Sequence, residues 1–519
     1  MIDQLPLMKK ILFITALAVF ALFFSCKKKT TEEPKSQSKT GTGGLTADGT
    51  TNVEITRAEK FQNIDGFGFF GAQDVWWGSA NNLFSDAWAT AALTDLGITI
   101  WRNEYYPPVT ASQAQDATWD KQKPVVEGLL RIANQNKVPL KFIFTVWSPP
   151  ASMKVQIVPK GQPNEGDPIS GLPNTGGTKG ADNEGITTDD HIAGTLDPAK
   201  YALFGNWLAD GIQLYKNLGI DVYAISPQNE PLFRQPFNSS YYKPSRYAEM
   251  LKNAVPVVKA RFPNVKIFGS ENMLDLEAGD AKPYFYGASL MPDAQALNNL
   301  DIWAFHGYQE GITPTATSKL KNLWSTVNTT YTQPTGKPVW MTETSGYTEN
   351  WLETSADKSG ALDLALDIQS ALIYGNASAW VWWQGSGYTD SGVPMTQMGE
   401  YNLMSGTQKG KKYYASKHFY RFIRPGAKRV KLTFNETDKV LGSAFEHTSM
   451  GAFTIVLINT SDKNMKVNIS GANIPDEFDF YYSNATANCV KQEAKVKKTE
   501  VVLPKNSIVT LVNGSVVEQ

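Results

Sequence analysis

Reactive sulfur and imidazole are what this chain has least of: two cysteines and four histidines in 519 residues. The histidines (His191, His306, His418 and His447) are scattered, and none has ligand spacing to another His or Cys, so no metal site is read. Neither a G-x-S-x-G elbow nor a G-x-x-x-x-G-K-[ST] loop occurs. A metallohydrolase, a serine hydrolase and a P-loop enzyme all lose ground, and no cofactor is expected. Net charge is missing too. With 49 basic against 50 acidic residues the formal charge is -1, so nothing draws the whole molecule to nucleic acid or an anionic membrane surface. The one long apolar run, Ile11 to Phe24, is short for a bilayer span.

That run has another use. Lys9 and Lys10 precede it and Ser25-Cys26 end it, the pattern of a secretion signal closing on a lipoprotein-type cleavage box. Residues 1–26 are read as the signal peptide, with Met8 a better start than Met1 and Cys26 the residue to be acylated. Residues 27–51 are Lys, Thr, Ser, Gly and Glu with almost no apolar side chain, and are read as a disordered tether. The expected address is outside the cytoplasm, lipid-anchored at the outer membrane or cell surface, or periplasmic. With Cys26 lipidated, Cys489 is the remaining thiol and no internal disulfide forms. Aromatic side chains, by contrast, are plentiful: 14 Trp, 21 Tyr and 25 Phe. Flat apolar faces beside polar groups suit sugar rings, although any single Trp is more often a core residue.

In the middle of the chain, short β-branched runs alternate with longer amphipathic ones. Strands are predicted at Ile64 to Gly71, Ile98 to Asn103, Leu140 to Val146, Asp221 to Ser226, Val265 to Ser270, Asp301 to His306, Lys337 to Thr342 and Ala379 to Gln384, with helix-like stretches between. Such units close naturally into a (β/α)8 TIM barrel over residues 63–424. Val155 to Asp197, rich in Gly, Pro, Asn and Asp, reads as a long loop. After Arg424-Pro425-Gly426 come short alternating runs with turn residues between them, the pattern of an antiparallel β-sandwich over 425–519. Residues 52–62, with the strand Val53 to Thr56, would join it.

Gly66 to Gly71 spell a formal G-x-G-x-x-G. A dinucleotide loop needs a helix to begin at its last glycine, and Ala72 to Gly78 offer neither cap nor apolar stripe. The glycines are read instead as letting a first barrel strand bend and pack closely. Asp74 and Trp76 then fall just past its C-terminal end, on the face where barrels place their sites.

On that face Glu230 ends strand four and Glu343 ends strand seven. Cleavage of a glycosidic bond needs such a pair, one carboxylic acid to protonate the departing oxygen and one carboxylate to stabilise or attack the oxocarbenium-like carbon. Either alone would be a solvated loop residue; both at strand ends are a constellation.

Further residues make the pattern specific: Asp65-Gly66-Phe67-Gly68, Arg102, Trp147-Ser148-Pro149-Pro150 with Met153-Lys154, Ser226 to Pro231, His306-Gly307-Tyr308, Trp340 to Glu343, Trp382-Trp383 and Phe422 to Gly426. From residue 52 to 517 the chain resembles the family 30 glycoside hydrolases. The resemblance implies a barrel with a side β-sandwich, Glu230 as acid/base and Glu343 as nucleophile of a double displacement. Beside them, Asn229 suits a sugar 2-hydroxyl, Arg102 the orientation of Glu343, and His306 and Tyr308 the positioning of Glu343 or the sugar. Trp147 and Trp383 are candidate stacking platforms, with Trp382 turned to the opposite side by alternation.

The family includes enzymes for glucuronoxylan, β-1,6-glucan, β-1,6-galactan and short β-glycosides. The loop Gly385 to Gly410 lacks Arg, which argues against a glucuronate clamp and favours an endo-acting β-1,6-glycanase over a xylanase or exo-glycosidase. The expected partner is an oligo- or polysaccharide, bound by a monomer. The rival outside enzymology is a carbohydrate-binding surface lipoprotein, which would keep binding but show no hydrolysis.

Overall fold

The computed structural model describes residues 45–71, 75, 84–108, 117–159, 161–178, 186–187, 193–234, 238–279, 285–308, 319–355, 358–387 and 399–516. Eight parallel strands close into a barrel in chain order: Gly66–Phe70, Ile100–Glu104, Lys141–Thr145, Val222–Ser226, Lys266–Met273, Ile302–His306, Val339–Glu343 and Ala377–Trp382, the last pairing with the first. The fold class is the one the repeat predicts. Ile100, Ile143, Ala224, Phe268, Ala304, Trp340, Ala379 and Val381 fill the barrel axis. Because side chains alternate along a strand, the residue two positions further on the same face stands one layer nearer the C-terminal mouth. Arg102, Thr145, Ser226 and His306 occupy that layer, all fully or nearly fully buried.

At the opposite end Asp65 closes the barrel. It accepts hydrogen bonds from Trp340 Nε1 and Ser378 Oγ, each at 2.9 Å, with Lys141 Nζ and Tyr223 OH at 3.4 Å. The first two glycines of the G-x-G-x-x-G lie within the first strand. A Cβ on Gly68 would stand 1.8 Å from the carbonyl oxygen of Ile100, so only glycine lets the first two strands approach this closely.

Residues 155–197 depart from the loop reading. Lys154–Ile157 pairs with both Pro168–Pro173 and Thr195–Leu196 in a small antiparallel sheet, beside a hairpin of Gly177–Thr178 and Ile186–Thr187. Asn164 and Gly161, Gly166, Gly171 and Gly176 all adopt positive φ, so the Gly- and Asn-rich composition encodes tight turns between short strands. This subdomain docks on the segment after the fourth barrel strand: Lys154 Nζ donates to Ser239 O at 2.8 Å, and Tyr241 N to Gly194 O at 2.8 Å.

Past the barrel, the strands Lys428–Thr433, Val440–His447, Ala452–Asn459, Met465–Ser470, Glu477–Ser483, Val501–Leu503 and Ser507–Asn513 form the predicted β-sandwich. Its N-terminal member runs Gly49–Asn63, so the tether and strand boundaries read at 51 and 52 are corrected. Residues 49–54 pair in parallel with Met465–Ser470, the parallel exception in an otherwise antiparallel sheet, and residues 54–63 pair antiparallel with Lys428–Thr433. Backbone pairing, together with burial of Thr51, Val53 and Ile55 in alternation, recruits polar residues that composition alone marks as tether. The sandwich packs Leu441, Phe445, Val456, Ile458 and Ile508 into the barrel's outer core. Among the described residues, no helix is long and apolar enough to cross a membrane.

Candidate active site

At the C-terminal mouth, one guanidinium organises the acidic groups. Arg102, fully buried on the second strand, donates through Nη1 to Glu343 Oε2 at 2.6 Å, through Nη2 to Glu271 Oε1 and Asn229 Oδ1 at 2.9 Å each, and through Nε to Thr145 Oγ1 at 3.2 Å. The planar fork suits this task because each N–H has a fixed direction. The carbonyl oxygen of Asn229 is turned to Arg102, which leaves its amide NH2 as the donor end of the side chain. The phenol of Tyr308 donates to the other oxygen of Glu343.

His306 is the second organiser. Its Nδ1 lies 2.9 Å from Glu230 Oε1 and 3.8 Å from Glu343 Oε1, and its Nε2 lies 3.5 Å from Glu271 Oε1. Glu230, His306 and Glu343 offer atoms that all lie within 4.8 Å of one another. The guanidinium on Glu343 and the imidazole on Glu230 already supply these carboxylates with positive charge and protons.

Five ionisable groups are thereby buried together, and their proton affinities separate. Burial pushes the carboxyl of Glu230 up; the hydrogen bond from His306 opposes this and the charge of Glu343 adds to it, leaving a net rise. Burial also pushes Glu271 up, but the charge of Arg102 and the contact with His306 outweigh it and hold this carboxyl below its ordinary value. For His306, burial favours the neutral ring, yet the charge of Glu343 and the bonds to Glu230 and Glu271 raise it to about 9. Two cations against three carboxylates balance when the acidic groups hold one proton between them, and Glu230 is the group driven to hold it.

The backbone is bent to achieve this. Glu230 has φ 40° and Glu271 φ 59°, a region that non-glycine residues rarely occupy and that clusters at functional sites. Around the acids, Phe70 stacks on Trp383 with ring centroids 4.3 Å apart at 21°, and Arg102 lies over the ring of Trp147 at 5.0 Å. Trp147 is mostly buried beneath Arg102, whereas Trp383 is half-buried at the mouth. Trp382 packs into the outer core and donates its indole N–H to Tyr401 O.

The structure thus brings together Arg102, Trp147, Asn229, Glu230, His306, Tyr308, Glu343 and Trp383. Asp74, Trp76 and Cys26 lie outside the described residues. Sequence reasoning missed Glu271 and Phe70. For Glu271 the signal was present: it directly follows the predicted strand Val265 to Ser270, as Glu343 directly follows Lys337 to Thr342.

Residues 426–511 match the Glycosyl hydrolase family 30 beta sandwich domain. Over 282 residues the chain is 28% identical to the glucuronoxylanase XynC of Bacillus subtilis, a match spanning 54% of this chain and 57% of that relative. Among solved structures, a GH30 endoxylanase from Clostridium papyrosolvens superposes with TM-score 0.65 at 21% identity, covering 89% of this chain and 100% of that one. The endo-beta1,6-glucanase BT3312 gives TM-score 0.65 at 21% identity, covering 90% and 93%. These structural likenesses speak to the fold. The family match itself is to the β-sandwich, residues 426–511, and the curated relative is spanned over little more than half its length.

Proposed function

We propose that this chain is a retaining O-glycosyl hydrolase that cleaves a β-linked glycan, with Glu230 as acid/base and Glu343 as nucleophile. The observation that carries the reading is the approach of the two carboxylates, which offer oxygens within 4.8 Å of each other. Retaining pairs stand about 5 Å apart, whereas inverting pairs leave about 6.5–9.5 Å for a water. In the first step a carboxylate oxygen of Glu343 bonds to the anomeric carbon as the glycosidic C–O bond breaks, and Glu230 gives its proton to the departing oxygen. The glycosyl ester neutralises Glu343. One of the forces raising Glu230 is then gone, and its carboxylate takes a proton from the water that releases the sugar and regenerates both groups.

For the substrate, the reading is an uncharged glycan, with an endo-acting β-1,6-glycanase preferred. Gly385 to Gly410 contains no Arg, and its basic residue Lys409 is engaged with Asp95 at 2.7 Å. Xylan is the second reading, favoured because the curated relative is named a glucuronoxylanase. We further read the chain as exported and anchored through Cys26, on the strength of the Lys9-Lys10, Ile11 to Phe24 and Ser25-Cys26 succession. Assay on β-1,6-glucan, β-1,6-galactan, glucuronoxylan and aryl β-glycosides, with NMR of the first anomer released, tests linkage and stereochemistry together. Release of the α-anomer first from a β-glycoside overturns the retaining mechanism. Hydrolysis surviving Glu343→Gln at the wild-type rate overturns the whole assignment.

A further inference from the structure

Glu271 is completely buried, so no sugar can touch it. It nevertheless contacts both organisers of the site. Its Oε1 takes Arg102 Nη2 at 2.9 Å and faces His306 Nε2 at 3.5 Å and Thr145 Oγ1 at 3.4 Å. Ser226 on the fourth strand and Tyr247 on the helix Pro244–Arg261 also lie within its electrostatic reach. The fifth strand is built to deliver this side chain. Ser270 pairs with Ala304 and Asn272 with Phe305, which leaves Glu271 as the extra residue of a β-bulge, at φ 59°. A bulge re-aims a side chain that regular alternation would place elsewhere.

We propose that Glu271 is a positioning residue for the hydrolytic pair: as the fixed counter-charge behind His306 and Arg102, it keeps the imidazole doubly protonated with Nδ1 toward Glu230 and Glu343, and its negative charge favours a proton staying on Glu230 against the pull of that imidazolium. This deepens the reading of Glu230 as the acid and rests on it. The charge count supplies the reason. With Glu271 present, two cations and two bare carboxylates cancel and Glu230 carries a proton. Without its charge, the same protonation state leaves one uncompensated positive charge in a dry site. That charge is shed by taking the proton from His306 or from Glu230. The charged groups facing His306 are Glu230, Glu271 and Glu343, and Tyr308 and Arg102 act on the same cluster through Glu343.

The test compares Glu271→Gln and Glu271→Asp with wild type by two readouts. The first is the titration and tautomer of His306, followed by NMR of ring-labelled protein. Glu271→Gln should lower the His306 midpoint by at least about one unit, and Glu271→Asp, which keeps the charge, should restore most of it. The second is a Brønsted series of aryl β-glycosides at several pH values. Loss of acid assistance should cost about 10²-fold in kcat/KM for poor leaving groups and under about 10-fold for 2,4-dinitrophenol, which needs no proton. An unmoved His306 titration, or an equal fall across all leaving groups, overturns the proposal. A wild-type rate in Glu343→Gln would instead overturn the hydrolase reading, and the His306 titration would still judge Glu271.

Discussion

Glu230 and Glu343 meet at a single nitrogen: His306 Nδ1 stands 2.9 Å from one carboxylate and 3.8 Å from the other. Any proton or charge change on either glutamate is therefore felt by the other. Burial and the charge of Glu343 raise Glu230, so its protonated, acid-competent form persists above the ordinary carboxyl range, and rate should fall as pH rises through the raised value. Glu343→Gln removes one of the raising forces, and the Glu230 titration followed by carboxyl-labelled NMR should move down. A Glu230 midpoint that stays put, or an alkaline limb of kcat/KM at an ordinary carboxyl value, would contradict the coupling.

Arg102 is where stability and activity diverge. Arg102→Met leaves Glu271 and Glu343 buried without their shared cation, and breaking a buried pair in this way costs about 3–5 kcal/mol. Arg102→Lys keeps the charge but loses the fork that holds Glu343, Glu271 and Asn229 at once, so it should fold with a smaller penalty while kcat/KM drops about 10²-fold from misplacement. Denaturant midpoints and kinetics on the two variants separate these effects. Equal activity in Arg102→Lys and wild type would show that the fork does not position the pair.

Which parts of this site were legible beforehand follows from how each is encoded. Barrel strands announce themselves by apolar runs, and alternation from Ile100 to Arg102 or Ala304 to His306 needs no tertiary information. Glu230 and Glu343 end such runs and could be picked out directly. Glu271 also follows such a run directly, so its position was legible; its direction was not, because it sits on a bulge, a tertiary compromise between neighbouring strands that periodicity does not carry. The folded insertion at 155–197 escaped for a related reason: its strands are two to six residues long, too short for a period to register, while their turns dominate the composition. Gly49 to Thr51 look like tether because their strand is specified by the partner Met465–Ser470 and not by their own side chains.

Trp383, stacked on Phe70 and half-buried at the mouth, is the aromatic face best placed to receive a sugar. Stacking on such a ring is worth about 1 kcal/mol, so Trp383→Ala should raise KM roughly 5-fold. If the ring binds ground state and transition state alike, kcat should stay within a factor of a few. Trp382→Ala, by contrast, opens a cavity in the outer core and should cost about 3–5 kcal/mol of stability. A Trp383→Ala variant with unchanged KM on every glycan cleaved would remove this residue from the binding surface.

A fourth expectation concerns the joint between barrel and sandwich. His418, on the helix Lys411–Tyr420, is fully buried, with Nδ1 2.7 Å from Thr510 Oγ1 and Nε2 2.8 Å from Ser483 Oγ on two sandwich strands. Burial, with a smaller push from Lys417, depresses its pKa from 6.5 to about 3. In the unfolded chain the ring takes up a proton below pH 6.5, whereas the folded ring refuses one until far lower pH. The stability held by the neutral ring is therefore complete above pH 6.5 and is lost progressively as pH falls toward 3, reaching about 2 kcal/mol by pH 5. His447, lowered to about 4, adds in the same direction. His418→Gln cannot titrate, so its denaturation free energy should start lower at pH 7.5 and fall less between pH 7 and 5 than that of wild type. Parallel pH dependences for the two proteins would mean that this imidazole is already charged in the fold, with the hydroxyls of Ser483 and Thr510 accepting its protons.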